Sequence, residues 1–257
     1  MAVEPGFSQA PKSDITAKNR AARARRDGRS PAEPEIRWFS RRLQRWFRTH
    51  GRQFPWRRPG ASTYERVVSE TLLQRTQAQT VSAFFPQFLH QFRSWSSLAR
   101  ATEADLEVFL RPIGLWRRRA RSLLGLAREM SRRRGRFPKS IEEIESLPGV
   151  GQYIASSVLL FAHNTPRALI DVNMARVLER FFGPRQLVDI RFDPYLQDLA
   201  NRVVATNDPI SINWAVLDLA ALVCKRDVPA CSACPLSAKC RFAQGSEGQY
   251  PSAHSLR

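Results

Sequence analysis

The sequence predicts an all-α fold, and three observations carry that expectation. Apolar residues recur at three- and four-residue spacings along most of the chain. Clusters of Gly, Pro and Asn separate the periodic stretches. The long alternation of β-branched residues that marks strands is missing.

The elements follow in order. Ile36, Phe39, Leu43, Trp46 and Phe47 form the stripe of a first helix, which Gly51 and Pro55 end. The spacing then predicts helices over Tyr64–Val81 and Ala83–Phe92, divided at Pro86 or the turn before it. Further helices are expected over 103–110, 116–134, 140–146, 152–162, 171–182, 193–206 and 211–223, with Pro112-Ile113-Gly114, Gly135, Pro148-Gly149, Asn164-Thr165-Pro166, Gly183-Pro184 and Asn207-Asp208-Pro209 as the breaks. No internal repeat of fixed period is present. Residues 1–34 read as a disordered basic tail, rich in Ala, Pro, Ser and Arg.

The chain of 257 residues has 41 Lys and Arg against 23 Asp and Glu, a formal charge of +18. The tail supplies little of it, with seven basic and four acidic residues, so the folded part carries most. Such an excess points to a polyanion: nucleic acid or an anionic membrane surface. The segment 111–136 holds ten Arg and one Glu around a stripe of Leu123, Leu124, Ala127 and Met130, an amphipathic helix with a basic outer face. It lacks the broad Trp/Phe/Leu face that would enter lipid. No run of 18 apolar residues exists, so a membrane partner is not expected. The N-terminal residues carry no apolar signal core, which points to the cytoplasm. In that compartment cysteines are metal ligands more readily than disulfides.

All four cysteines, Cys224, Cys231, Cys234 and Cys240, fall within 17 residues with the spacing C-x6-C-x2-C-x5-C. Four thiolates this close can enclose a tetrahedral zinc ion or an iron–sulfur cubane, and general chemistry leaves both open. Residues 147–155 read Leu-Pro-Gly-Val-Gly-Gln-Tyr-Ile-Ala. Gly149 and Gly151 permit a tight turn between two helices, whose N–H groups can hold one phosphate. By itself Asp171, before a helical run, reads as an N-cap, and Glu70, beside the apolar Val67, Leu72 and Leu73, as a surface residue.

Taken together these strings resemble the helix-hairpin-helix (HhH-GPD) DNA glycosylases of the endonuclease III and MutY family. The resemblance runs from about residue 36 to 243, through Phe54-Pro55-Trp56-Arg57, Ser69-Glu70-Thr71-Leu72-Leu73-Gln74-Arg75-Thr76-Gln77, the hairpin, Asp171-Val172-Asn173 with Arg176-Val177, and the cysteines. It implies two helical subdomains: a central bundle over 63–168 with the hairpin, and a second unit joining 35–62 to 169–243, followed by a short tail. It implies a [4Fe–4S] cluster on the four cysteines, flanked by DNA-facing Lys225, Arg226, Lys239 and Arg241. Asp171 would stabilise the cationic sugar, oriented by Asn173, and Glu70 would protonate the leaving base. Leu147, Gly149, Val150, Gly151 and Gln152 would grip DNA, while Gln74 and Arg75 would wedge into the stack as the target flips out.

Tyr153 stands where strand-cutting members carry a nucleophilic Lys, and no Lys lies between Ser140 and Cys224. The resemblance therefore implies a monofunctional glycosylase, acting as a monomer on double-stranded DNA with a mismatched or damaged base. The target lies between two branches. MutY enzymes remove adenine opposite guanine or 8-oxoguanine, and Glu70 and the Gln-rich string agree with that. Val172 after the Asp, Trp214 after Asn213, and only 17 residues after Cys240 agree better with mismatch thymine (MIG-type) glycosylases, as do Tyr153, Leu73-x-Arg75-Thr76 and Ile113-Gly114-Leu115. The balance leans to thymine or uracil opposite guanine. A non-catalytic iron–sulfur DNA-binding module would need neither Glu70 nor Asp171.

Overall fold

A computed structural model describes residues 30–245 of the chain. Eleven α-helices and four short 3-10 turns, with no strand, make up the described residues. The helices are α1 (Glu33–His50), α2 (Thr63–Leu73), α3 (Ala78–Gln91), α4 (Trp95–Ala99), α5 (Glu103–Leu110), α6 (Trp116–Arg132), α7 (Ile141–Glu145), α8 (Gln152–Ala162), α9 (Val172–Phe182), α10 (Pro194–Val204) and α11 (Pro209–Leu222). None of them is long and apolar enough to cross a membrane. The expected tail lies outside the described residues as far as residue 29, and the C-terminal tail from 246 onward.

The apolar side chains gather into two clusters. One is built on α2 to α8 around Phe85, Phe88, Leu106, Leu123 and Met130. The other joins α1 to α9, α10 and α11 around Phe39, Leu43, Phe181, Phe182 and Leu219. The chain thus enters at the second cluster, builds the first, and returns. Its two crossings, at 50–62 and 163–171, set side chains from both clusters against one another.

Where the boundaries differ from the periodicity, local chemistry gives the reason. α1 begins at Glu33 instead of Ile36, with Pro34 in the first turn, where a missing N–H costs nothing, and Glu33 and Glu35 at the positive helix end. Residues 30–33, expected within the tail, are held by Arg202, which donates to Ser30 Oγ, the Pro31 carbonyl and Glu33 Oε1. The single helix expected over 64–81 is two: α2 stops at Leu73 and α3 starts at Ala78, because Gln74 leaves the helical region and Arg75 takes φ +55°. Pro86 does not divide α3. It lies on the exposed face, where the Ser82 carbonyl that it leaves unbonded can meet water. The short helix α4, opened by a capping box between Ser94 and Ser97, was not expected from the sequence.

Candidate active site and nucleic-acid interface

Glu70 sits in the last turns of α2 and is 4% exposed, which overturns its reading as a surface residue. α2 packs on α8, and Tyr153, in the first turn of α8, donates its hydroxyl to Glu70 Oε2 at 2.9 Å. Burial pushes the Glu70 carboxyl up to about 7. The Tyr153 hydrogen bond and the positive charge of Arg57 work against that rise, and the charge of Asp171 adds to it. Burial, then Glu70 and Asp171, hold the Tyr153 phenol well above its ordinary value.

Asp171 closes the group from the other cluster. It is the N-cap of α9, as its position before a helical run implied. Its Oδ1 accepts from the backbone N–H of Asn173 at 2.9 Å and of Met174 at 2.8 Å, and its Oδ2 accepts from Asn173 Nδ2 at 2.7 Å. Asn173 Oδ1 accepts from Arg176 at 3.1 Å. Arg176 donates onward to the carbonyls of Cys224 at 3.0 Å and Ala220 at 3.2 Å. A continuous chain of hydrogen bonds therefore runs from the carboxylate to the first cysteine.

A charged triad beside the site escaped the sequence reading. Asp218, fully buried on α11, accepts from the Arg52 backbone N–H at 2.8 Å and Arg52 Nε at 2.7 Å, and from Arg57 at 2.8 and 3.1 Å. The Arg57 guanidinium lies over the rings of Phe54 and Trp214, 5.0 and 5.1 Å from their centroids. Trp214 is therefore no bare apolar platform: a cation covers one of its faces. The available signal was an Asp inside the apolar run Ala215–Leu222, where only a paired charge is stable.

The hairpin turn lies between α7 and α8. Gly149 is at φ +73°, and a Cβ there would meet Ser122 Cβ of α6 at 2.6 Å. One turn on, Gly125 admits Pro148 in the same way, with a Cβ 2.9 Å from Pro148 Cβ. Gly151 differs from expectation. Its φ of −110° suits any residue, and nothing crowds a Cβ there. No side chain caps α8, so its first-turn N–H groups are left open for an acceptor. The side chains of Leu147 and Val150 are buried in the first cluster, so those two residues can meet a nucleic acid only through their backbone. The Gln152 amide is engaged, donating to the Arg191 carbonyl at 3.1 Å. Gln74 and Arg75 are exposed on the loop between α2 and α3. Of the ten arginines around α6, Arg119 points inward and the others are exposed.

The four cysteine side chains, all half-buried, line one small space of about 20 Å³ together with Arg180, Val223, Pro229 and Phe242. Among the described residues, no three His, Cys, Asp or Glu side chains converge tightly enough to grip a single metal ion. Arg180 ties this loop to α9, donating to the carbonyls of Lys225 at 2.6 Å and Arg226 at 2.8 Å, and to Cys224 Sγ at 3.4 Å.

Paired carboxyls between two helical clusters, beside a hairpin that leaves N–H groups open, describe a helical enzyme of DNA base excision. The chain belongs to the HhH-GPD superfamily of base excision DNA repair proteins, whose family model matches residues 68–189. It is 37% identical over 212 residues to a thymine-DNA glycosylase of Aeropyrum pernix, covering 80% of this chain and 95% of that protein. It is 35% identical over 215 residues to a thymine/uracil-DNA glycosylase of Pyrobaculum aerophilum, covering 81% and 93%. The solved structure of a thermostable thymine-DNA glycosylase superposes with a TM-score of 0.72 at 27% identity, over 82% of this chain and 97% of that one.

Proposed function

We propose that the protein is a monofunctional DNA N-glycosylase that flips thymine or uracil out of a mismatch with guanine and hydrolyses its glycosidic bond, leaving an abasic site. The observation that carries the chemistry is the juxtaposition of two unlike carboxyls. Glu70 is buried and titrates at about 7, so near neutrality it holds a transferable proton for the departing base. Asp171 is ringed by N–H donors and presents negative charge where C1′ becomes cationic as the bond breaks. Tyr153, in place of a nucleophilic amine, leaves water as the acceptor of the sugar, so no strand cleavage follows.

The names of the relatives support the choice of base, and so does the residue at position 214. Trp214, with Arg57 over one face of its ring, brings neither the carboxamide nor the carboxylate that would pair with adenine. For the nucleic acid, the uncapped start of α8 and the exposed Gln74 and Arg75 supply phosphate and groove contacts.

The four thiols, the only cysteines of the chain, line one shared space. Cys224, Cys231, Cys234 and Cys240 would hold a [4Fe–4S] cluster, which when bound would close the 224–240 loop on itself and leave the excision chemistry to the side chains above.

The test incubates the protein with end-labelled duplexes carrying G·T, G·U, A·G or A·8-oxoguanine, followed by hot alkali. Alkali-dependent cleavage at the T or U strand is expected. Cleavage confined to the adenine strand would overturn the choice of base, and cleavage without alkali would overturn the monofunctional assignment.

A further inference from the structure

Arg119 is the one arginine of α6 that turns inward, and it is 4% exposed. Its guanidinium bonds to four neutral acceptors. One nitrogen donates to the carbonyls of Ile113 at 3.0 Å and Gly114 at 2.6 Å; the other donates to the Gln74 carbonyl at 2.9 Å and Thr76 Oγ1 at 3.0 Å. Thr76 Oγ1 itself donates to the Ile113 carbonyl at 3.1 Å. The fork thus spans two loops, 74–77 between α2 and α3 and 113–115 between α5 and α6. A planar guanidinium holds both at fixed separation, as a single-point ammonium cannot.

Each loop carries one unusual residue. Among the described residues only four besides glycine have positive φ, and two of these are Arg75 at +55° and Leu115 at +50°. Both side chains are exposed, Leu115 to 49%. An exposed leucine in left-handed backbone gains nothing from its own conformation, so the surroundings must impose it. The bonded atoms lie immediately beside these residues: the Gln74 carbonyl precedes Arg75, and the Gly114 carbonyl precedes Leu115.

We infer that Arg119 is a positioning residue: its buried fork locks the two loops into one piece, so that Arg75 and Leu115 are presented together to the duplex while the target nucleotide leaves the stack. This rests on the glycosylase reading above and adds to it a group that touches neither base nor sugar. The two side chains act as a pair, and the cation beneath them sets their spacing. The nearest chemistry, Glu70, is one turn before Gln74 on α2, so a shift of the loop also bears on the site.

The experiment compares wild type with Arg119→Met, Arg119→Lys and Thr76→Val on a G·T duplex with 2-aminopurine beside the mismatch. It reads single-turnover base release, the fluorescence rise on unstacking, affinity for undamaged duplex and Tm. Arg119→Met is expected to slow base release by roughly tenfold to a hundredfold and blunt the fluorescence rise, with undamaged-duplex affinity kept. Arg119→Lys is expected to recover part of the loss, and Thr76→Val to show a smaller one. In an Arg75→Ala/Leu115→Ala background, Arg119→Met should add little, since the groups through which it acts are gone. An equal loss in both backgrounds, or an unchanged fluorescence rise, overturns the inference. Amide exchange separates the two readings and needs no substrate. If Arg119→Lys and Thr76→Val speed exchange in 74–77 and 113–115 together, the lock stands even where wild type releases no base. Exchange altered in one loop or neither overturns the lock. If Arg119→Met does not fold, the Lys and Val variants carry the same comparison.

Discussion

The Tyr153 hydroxyl and the Glu70 carboxyl meet at 2.9 Å across the packed helices α8 and α2, with Glu70 almost wholly buried. The phenol stays protonated, so it donates to the ionised carboxyl and favours that form. Removing the donor in Tyr153→Phe should raise the Glu70 pKa above its value of about 7. The basic limb of the kcat profile against pH for base release is then expected to move to higher pH. A limb that stays put would separate Glu70 from the ionisation that limits the rate.

Glu70 also carries a stability signature. Its folded pKa, about 7, lies above the ordinary value of 4.5, so the native state binds this proton more tightly than the unfolded chain. The relative stability it confers is complete below pH 4.5 and is lost as pH rises through about 7, where the buried carboxyl must ionise. Glu70→Gln removes that dependence. Urea titrations should show the variant gaining on wild type by about 3 kcal/mol between the acid and alkaline ends of this window, with no further change beyond it. The same variant should release base at least about a hundredfold more slowly if Glu70 is the acid.

Asp171→Asn separates chemistry from architecture. Asn caps helices as well as Asp does, so Tm should change little, whereas Asp171→Ala should cost about 1 kcal/mol. Base release by Asp171→Asn is expected to fall by about a thousandfold or more with duplex affinity retained, because the charge that meets the cationic sugar is gone. Gel-shift and single-turnover assays on one preparation read both. A variant that releases base at the wild-type rate would leave a binding module as the better description.

Gly149→Ala is expected to damage the hairpin twice, through the strain of φ +73° and through the contact with Ser122. A loss of about 1–3 kcal/mol in unfolding free energy, with weakened and less salt-dependent DNA binding, should follow. Gly151→Ala should leave stability nearly unchanged, since its backbone is ordinary and its surroundings open. Any loss of affinity there would measure how closely the phosphate approaches.

The proposed [4Fe–4S] cluster predicts visible absorbance, iron and sulfide in the purified protein, and predicts that Cys234→Ser abolishes all three. Arg176→Met should leave iron content intact but slow base release by about tenfold, because Asn173 loses the partner that fixes its amide against Asp171. Equal iron loss in both variants would make Arg176 a prop of the loop alone.

Much of this was legible from the residues, because the periodic signal is strong where one helix face is buried. The Gln152–Ala162 helix and the cap at Asp171 follow from local pattern alone. The split of α2 from α3 was not legible. Leu73-Gln74-Arg75-Thr76 continues a helical pattern, and the break depends on Arg119, 43 residues beyond Thr76 in sequence. Arg119 itself disappears in a count of ten arginines, since no composition rule says which one of a basic run turns inward. The burial of Glu70 likewise depends on α8, brought against it by the fold, and the Asp218 pair depends on arginines more than 160 residues earlier.

The bonds at the start of α9 leave Asp171 with a direction. An ionised carboxylate offers about four acceptor positions, and Asn173 and Met174 occupy two on Oδ1 and one on Oδ2. Among the described residues one lone pair, on Oδ2, has no protein donor, and the ring of donors prevents the group from swivelling to aim it elsewhere. The sugar must therefore travel to a fixed electrostatic point, and a nucleotide that emerges from the helix at the wrong angle meets an oxygen already spoken for.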